Sequence, residues 1–151
     1  MQHSTPDSLK WTHTRSRLCC ETYGKPALEL EMDCHIGAAH DGRIRWQRAK
    51  ALWDTGTSIS VITPELADRL GLKPDNDDYI VLNRVGGVSR AWLSVAFVGF
   101  PNNIVCGPIR VAVRELPSTD VLIGMDVISN GTFAIRRKPD GGTLFTFDMN
   151  I

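Results

Sequence analysis

Hydrophobic and polar residues alternate through ALELEMDCHI, where Leu28, Leu30 and Met32 are set against Glu29, Glu31 and Asp33. A period of two predicts a half-buried strand running from Ala27. A turn at Ala38 to Gly42, containing Asp41-Gly42, leads into RIRWQRAKALWD, in which Ile44 and Trp46 oppose Arg43 and Arg45, so the two runs predict a hairpin. Farther on, YIVLNRVGGVSRAWLSVAF from Tyr79 to Phe97 reads as two β-rich arms about Gly86-Gly87, because adjacent glycines supply the positive φ angles of a tight turn. VCGPIRVAV predicts another strand, Val121 to Ile123 a short apolar one entering Gly124, and TFAIRRKPDGGTLFTFDM a terminal hairpin turned at Pro139 to Gly142. Helical signals are confined to TPELADRLG. There Thr63 is the expected N-cap, Pro64 the first helical residue, Glu65 an acid at the positive end of the dipole, and Gly71 the stop, with Leu66 and Leu70 on one side. Six to eight strands and one or two short helices predict an all-β barrel or sandwich-like domain.

From Met1 to about Pro26 the chain is polar and aperiodic, which predicts an arm or partly ordered extension over residues 1–26 ahead of a single domain over residues 27–151. Lys plus Arg balance Asp plus Glu at 17 each, so no charge excess recruits nucleic acid or a membrane surface. The N-terminus has neither an apolar signal core nor a span long enough for a bilayer, and a cytoplasmic protein with reduced thiols is the expectation. Cys19, Cys20, Cys34 and Cys106, with His35 and His40, do not fall into CxxC or HxxxH spacing, so neither a metal nor another cofactor is expected.

One stretch breaks the apolar pattern with chemistry. ALWDTGTSISVI carries an acid, a hydroxyl and a glycine between two apolar runs, and an ionised Asp inside a strand-like segment has a desolvation cost that calls for a partner or a purpose. Asp-x-Gly alone is a common turn. Its surroundings are not those of a surface turn: Ala51-Leu52-Trp53 precede it, Ile59, Val61 and Ile62 follow it, and VLIGMDVI repeats an apolar-apolar-Gly element about seventy residues on. In this order, ALWDTGTSISVI resembles the active-site loop of the retropepsin-like aspartic proteases, VLNRVGGVSRAWL their flap, and VLIGMDVI the element that packs beside the catalytic loop. The resemblance covers roughly Ala27 to Ile151, and the WDTG and LIGMD variants are similar to a bacterial and phage-associated group.

The resemblance implies a retropepsin-like half-barrel with a flap hairpin. It makes Asp54 the catalytic acid, gives Thr55 a bracing hydrogen bond to a partner loop, and has Gly56 permit close approach. By the same resemblance Thr57, Ser58 and the flap residues Val85, Gly86, Gly87 and Val88 contact substrate. No second Asp-Thr-Gly or Asp-Ser-Gly occurs in the chain, so two carboxylates around one water require a homodimer acting on a peptide or protein substrate. A catalytically silent dimerisation or peptide-binding module on the same fold is the alternative reading.

Departures from the retroviral pattern sharpen this expectation. Trp53, next to the acid on a strand, should point away from it into the core. Met125 stands where retroviral enzymes often have Arg, and Ser58 where they often have its acidic partner, so neither leaves a buried charge alone. Thr57 stands where Ala is usual. A hydroxyl there is placed to donate to the ionised acid and to move the optimum for activity toward lower pH. Asp126 reads as a helix cap or ion-pair partner and not as a second acid. Arg84 and Arg90, beside the flap tip, read as solvated edge protection or as substrate contacts.

Overall fold

The computed structural model describes residues 18–75, 79–84 and 87–149. Within them, the first hairpin forms where the alternation predicts it. Strands β2 (Glu31–His40) and β3 (Arg43–Trp53) pair antiparallel down to Ala39↔Ile44 and His40↔Arg43. This leaves Asp41-Gly42 as a two-residue turn, with φ of 48° and 75°, the left-handed pair that such a turn demands. The strand does not extend back to Ala27. Leu30 is buried and its carbonyl accepts from Trp53 N–H at 3.1 Å, but Leu28 is 98% exposed. The reason lies in the partner: β3 ends at Trp53, so residues before Leu30 have no strand to pair with. Strand β1 (Leu18–Tyr23) lies inside the stretch read as a polar arm and pairs antiparallel with the last strand of the chain, from Leu18↔Asp148 to Tyr23↔Thr143.

Past the Asp54 loop come β4 (Val61–Ile62) and helix α1 (Pro64–Arg69). The helix has the predicted ends: Leu66 N–H donates to Thr63 Oγ1 at 3.3 Å, Pro64 opens it, and Gly71 follows at φ 66°. Strands β5 (Tyr79–Arg84) and β6 (Gly87–Phe100) form the long hairpin. Its register closes on Arg84↔Gly87, so Gly87 opens the second arm; Val85 and Gly86 lie outside the described residues. The chain continues through β7 (Ile104–Val113), β8 (Val121–Ile123), α2 (Met125–Ile128), β9 (Gly131–Arg137) and β10 (Thr143–Met149). The described residues thus hold ten strands, more than the six to eight expected, because short β4 and polar β1 give no periodic signal.

The larger sheet runs β2-β3-β8-β4-β7-β6-β5, and a further pairing of β2 with β6 at Ile36↔Val98 closes its first six strands into a barrel. β5 is carried outside that ring on β6. The smaller sheet, β1-β10-β9, packs against the barrel through aromatic rings. Trp53 stacks on Phe100 at 5.1 Å and meets Phe147 at 4.9 Å and Phe145 at 5.0 Å. Phe100, Phe145 and Phe147 are fully buried, each a contribution of about 1.5–3 kcal/mol relative to exposure. A second, smaller apolar cluster of Val61, Ala91, Leu93, Ala112 and Leu122 forms separately, with Leu52, Ile59, Ile80 and Leu116 partly buried against it.

Candidate active site

Asp54 sits where β3 gives way to a loop, and the alternation of the strand divides its neighbours between two environments. Trp53 turns into the main core, as its position predicts, and donates its indole N–H to Met32 Sδ at 3.1 Å. Leu52, on the other face with Asp54, joins the smaller apolar cluster. That cluster gathers apolar side chains of β3, β4, β7, β8 and the β5–β6 hairpin into one wall. The sequence reading did not find this wall, because its members are spread from Leu52 to Leu122 and meet through pairings between strands distant in sequence, such as Leu52↔Leu122, Val61↔Leu122 and Val61↔Ala112.

The loop is held by its own backbone and by one polar network. Asp54 N–H donates to Ile123 O at 2.9 Å, and Thr57 N–H donates to Asp54 O at 3.2 Å. Both carboxylate oxygens are engaged: Gly56 N–H donates to Oδ1 at 2.9 Å and the Thr57 hydroxyl donates to Oδ2 at 2.8 Å. Each oxygen keeps further acceptor capacity, which is what a bound water or a second carboxyl group needs. Thr55, Gly56 and Ser58 are exposed in the single chain.

VLIGMDVI packs on the loop as a brace. Met125 N–H donates to Thr57 O at 2.7 Å and Asp126 N–H to Ser58 O at 3.2 Å. A Cβ on Gly124 would come within 2.7 Å of Thr57 O, so the glycine is what allows this contact. Asp126 grips the loop from the far side. Ser60 N–H donates to its Oδ2 at 2.9 Å, the Ser60 hydroxyl donates to its Oδ1 at 2.7 Å, and the same hydroxyl accepts from Gly124 N–H at 3.0 Å. Asp126 also accepts from Val127 N–H at 3.0 Å, but the helix cap is Gly124, so Asp126 is not the cap expected from sequence; its carboxylate holds the loop instead. Ser60, wholly buried, is the residue that sequence reasoning missed. Its only signal was a hydroxyl at an otherwise apolar position of ISVI.

The remaining candidates are distributed as follows. Gly87 begins β6, Val88 is 68% exposed, and the base of their hairpin reaches the apolar wall through Ile80 and Ala91. Arg90 lies over the Tyr79 ring at 5.2 Å, an exposed cation–π contact. Cys34 and Cys106 are buried and unbridged, and burial, helped by the Asp126 charge, pushes the Cys106 thiol up to about 12. Among the described residues no three His, Cys, Asp or Glu side chains converge as a metal site requires.

The sequence profile described as "gag-polyprotein putative aspartyl protease" matches residues 40–130. Among solved structures, a retropepsin-like aspartic protease from Rickettsia conorii superposes with a TM-score of 0.59 at 17% identity, covering 93% of this chain and 96% of that one. The EIAV protease in complex with the inhibitor HBY-793 gives 0.49 at 19% identity over 67% of this chain and 86% of that one. The retroviral protease-like domain of Ddi1 from Leishmania major gives 0.45 at 20% identity over 79% and 94%. A search of curated proteins yields no match. At 17% identity the Rickettsia superposition speaks for the fold, and the profile for the family.

Proposed function

We propose, from the premise that this chain belongs to the gag-polyprotein aspartyl protease family and has the retropepsin-like fold, that it is an aspartic endopeptidase working as a homodimer. The observation that carries the reading is Asp54 itself, a partly buried carboxylate with one hydrogen bond to each oxygen, on a loop braced from behind by Gly124 and Asp126. One such acid per chain leaves the chemistry half complete, and a second copy supplies the other half across a two-fold axis.

The physics of the pair then follows. Two carboxylates ~3 Å apart, at an effective dielectric of ~20, repel by about 5 to 6 kcal/mol if both are ionised. One proton therefore stays on the dyad over a wide pH range, as in aspartic proteases generally. The ionised oxygen takes a proton from the water as it attacks the scissile carbonyl, while the protonated one supports the developing oxyanion. The proposed substrate is an extended polypeptide held as an added strand between the β5–β6 hairpin and the loop, with Thr57, Ser58 and the flap residues along it. Leu52, Ile80, Leu116 and Leu122 offer it an apolar wall.

Incubating the purified protein with an unstructured polypeptide tests this. Cleavage blocked by a statine-type transition-state mimic and lost in Asp54→Asn is the expected result. Cleavage that survives Asp54→Asn excludes the mechanism, and a dimer that binds the mimic without cleaving favours the silent binding module.

A further inference from the structure

Strands β2 and β6 close the barrel only from His35↔Gly99 to Gly37↔Phe97, and then part. Before His35, β2 pairs with β3 alone, while β6 ends at Phe100 and the chain turns at Pro101. The parting leaves a cleft of about 250 Å³ on the outer face of the barrel, lined by Asp33, His35, Arg48, Phe100 and Pro101. Arg48 lies six residues before Asp54, about 20 Å along an extended chain, so the cleft is separate from the candidate active site.

The alternation of β2 accounts for the polar lining. Met32, Cys34 and Ile36 are buried in the barrel, which turns Asp33 and His35 outward on one face. Arg48 stands opposite His35, and its guanidinium crosses to Asp33, where Nη2 donates to Oδ2. This ion pair occupies one N–H of Arg48 and one oxygen of Asp33, so both groups keep capacity toward the cleft. Lys50, opposite Asp33, has its ammonium 3.9 Å from Glu31 instead. The His35 ring has no hydrogen-bond partner among the described residues. Burial first and the Arg48 charge second favour its neutral form, which offers one acceptor and one donor. Gly99, opposite His35 on β6, places no side chain beside the imidazole.

An exposed ion pair by itself contributes little and marks no site. Here the pair borders a cleft with an apolar floor, next to an imidazole that has nothing to bond. Its open groups are of two kinds: N–H donors on a cation, and acceptors on a carboxylate and a neutral ring. The ligand that answers both at once carries a carboxylate and an ammonium on one carbon, with an apolar group beside them. We propose that this cleft binds a free α-amino acid with an apolar side chain, its carboxylate on Arg48, its ammonium between Asp33 and His35, and its side chain against Phe100 and Pro101. The carboxylate takes charge-assisted bonds from the guanidinium N–H groups that Asp33 leaves open. The ammonium donates to the second oxygen of Asp33 and to the acceptor nitrogen of His35, which stand two residues apart on the same face of β2. A cleft of this size suits such a ligand and is too small for a longer peptide.

Titrating the full chain with L-leucine, followed by calorimetry and by amide chemical shifts, tests the proposal. Saturable binding with a Kd on the order of 1 mM or tighter is expected for a ligand of this size, with shifts centred on Asp33, His35, Arg48 and Phe100. Leucinamide lacks the carboxylate and N-acetylleucine lacks the ammonium, so each should bind roughly tenfold more weakly or worse. Arg48→Gln and Asp33→Asn, both at exposed positions, should keep the far-UV circular dichroism of the parent and lose leucine binding to the same degree. No saturable shift in the millimolar range overturns the proposal. Leucinamide binding as tightly as leucine would make the cleft a site for peptide N-termini, and N-acetylleucine doing so would make it a plain carboxylate site; either overturns the amino-acid assignment. Binding that survives both substitutions puts leucine elsewhere on the molecule and removes the site. None of these measurements involves Asp54, so this proposal and the protease reading stand or fall separately.

Discussion

At the scale of single residues, the hydroxyl of Thr57 is the feature most open to test. It donates to Asp54 Oδ2 at 2.8 Å and so fixes the orientation of the carboxylate. Removing it with Thr57→Ala should lower kcat for peptide cleavage by roughly tenfold or more while leaving the chain folded. An unchanged kcat would show that the contact does not position the acid for the reaction. Ser60 carries a structural burden of a different kind. Its hydroxyl both donates to Asp126 and accepts from Gly124 N–H, so Ser60→Ala leaves the buried Gly124 N–H without its partner, at a cost of about 1–3 kcal/mol. Urea unfolding should register that loss, and a midpoint within error of the parent would contradict it. Asp54 was legible in sequence because its chemistry is local, an acid followed by two small residues and a hydroxyl. Ser60 was not, because its partner lies 66 positions away and only the fold brings them together.

At the scale of elements, what sequence could show depends on whether an element carries its own signal. The β2–β3 hairpin does, through alternation and Asp41-Gly42, and α1 does, through Thr63, Pro64 and Gly71. β1 does not: LCCETY has neither strong alternation nor a turn in register, and becomes a strand because β10 offers an edge. Leu28 is the converse, an apolar residue in a periodic run left exposed because β3 has already turned away. Trp53 connects the two sheets, and Trp53→Phe should cost about 1–3 kcal/mol through the lost bond to Met32 Sδ and lost ring contacts. A thermal midpoint unchanged in that variant would argue against this packing. On β2, burial first and the Arg48 charge second hold the His35 imidazole below its ordinary value of 6.5, against an opposing pull from Asp33. The folded chain thus resists a proton that the unfolded chain accepts. The contribution is complete above about pH 6.5 and is lost as pH falls toward the depressed folded value. His35→Gln should therefore flatten the decline of the urea midpoint below pH 6.5; an equal decline in both proteins would assign the acid sensitivity elsewhere.

At the scale of the whole molecule, the proposed chemistry asks one chain for two carboxylates, and its motif supplies one, Asp54. Completion by a second copy has a kinetic signature that no single-chain enzyme shows. When chains carrying Asp54 are mixed with a varying share of Asp54→Asn chains and allowed to exchange, mixed dimers hold one acid and one amide. An amide cannot share the proton or accept one from water, so only dimers with two Asp54 residues turn over. Activity at constant total protein should then fall as the square of the fraction of chains that keep Asp54. The measurement needs only initial rates of peptide cleavage over a mixing series. A linear fall would mean that each chain completes its own site, and the shared dyad would have to be abandoned even if Asp54 remained essential.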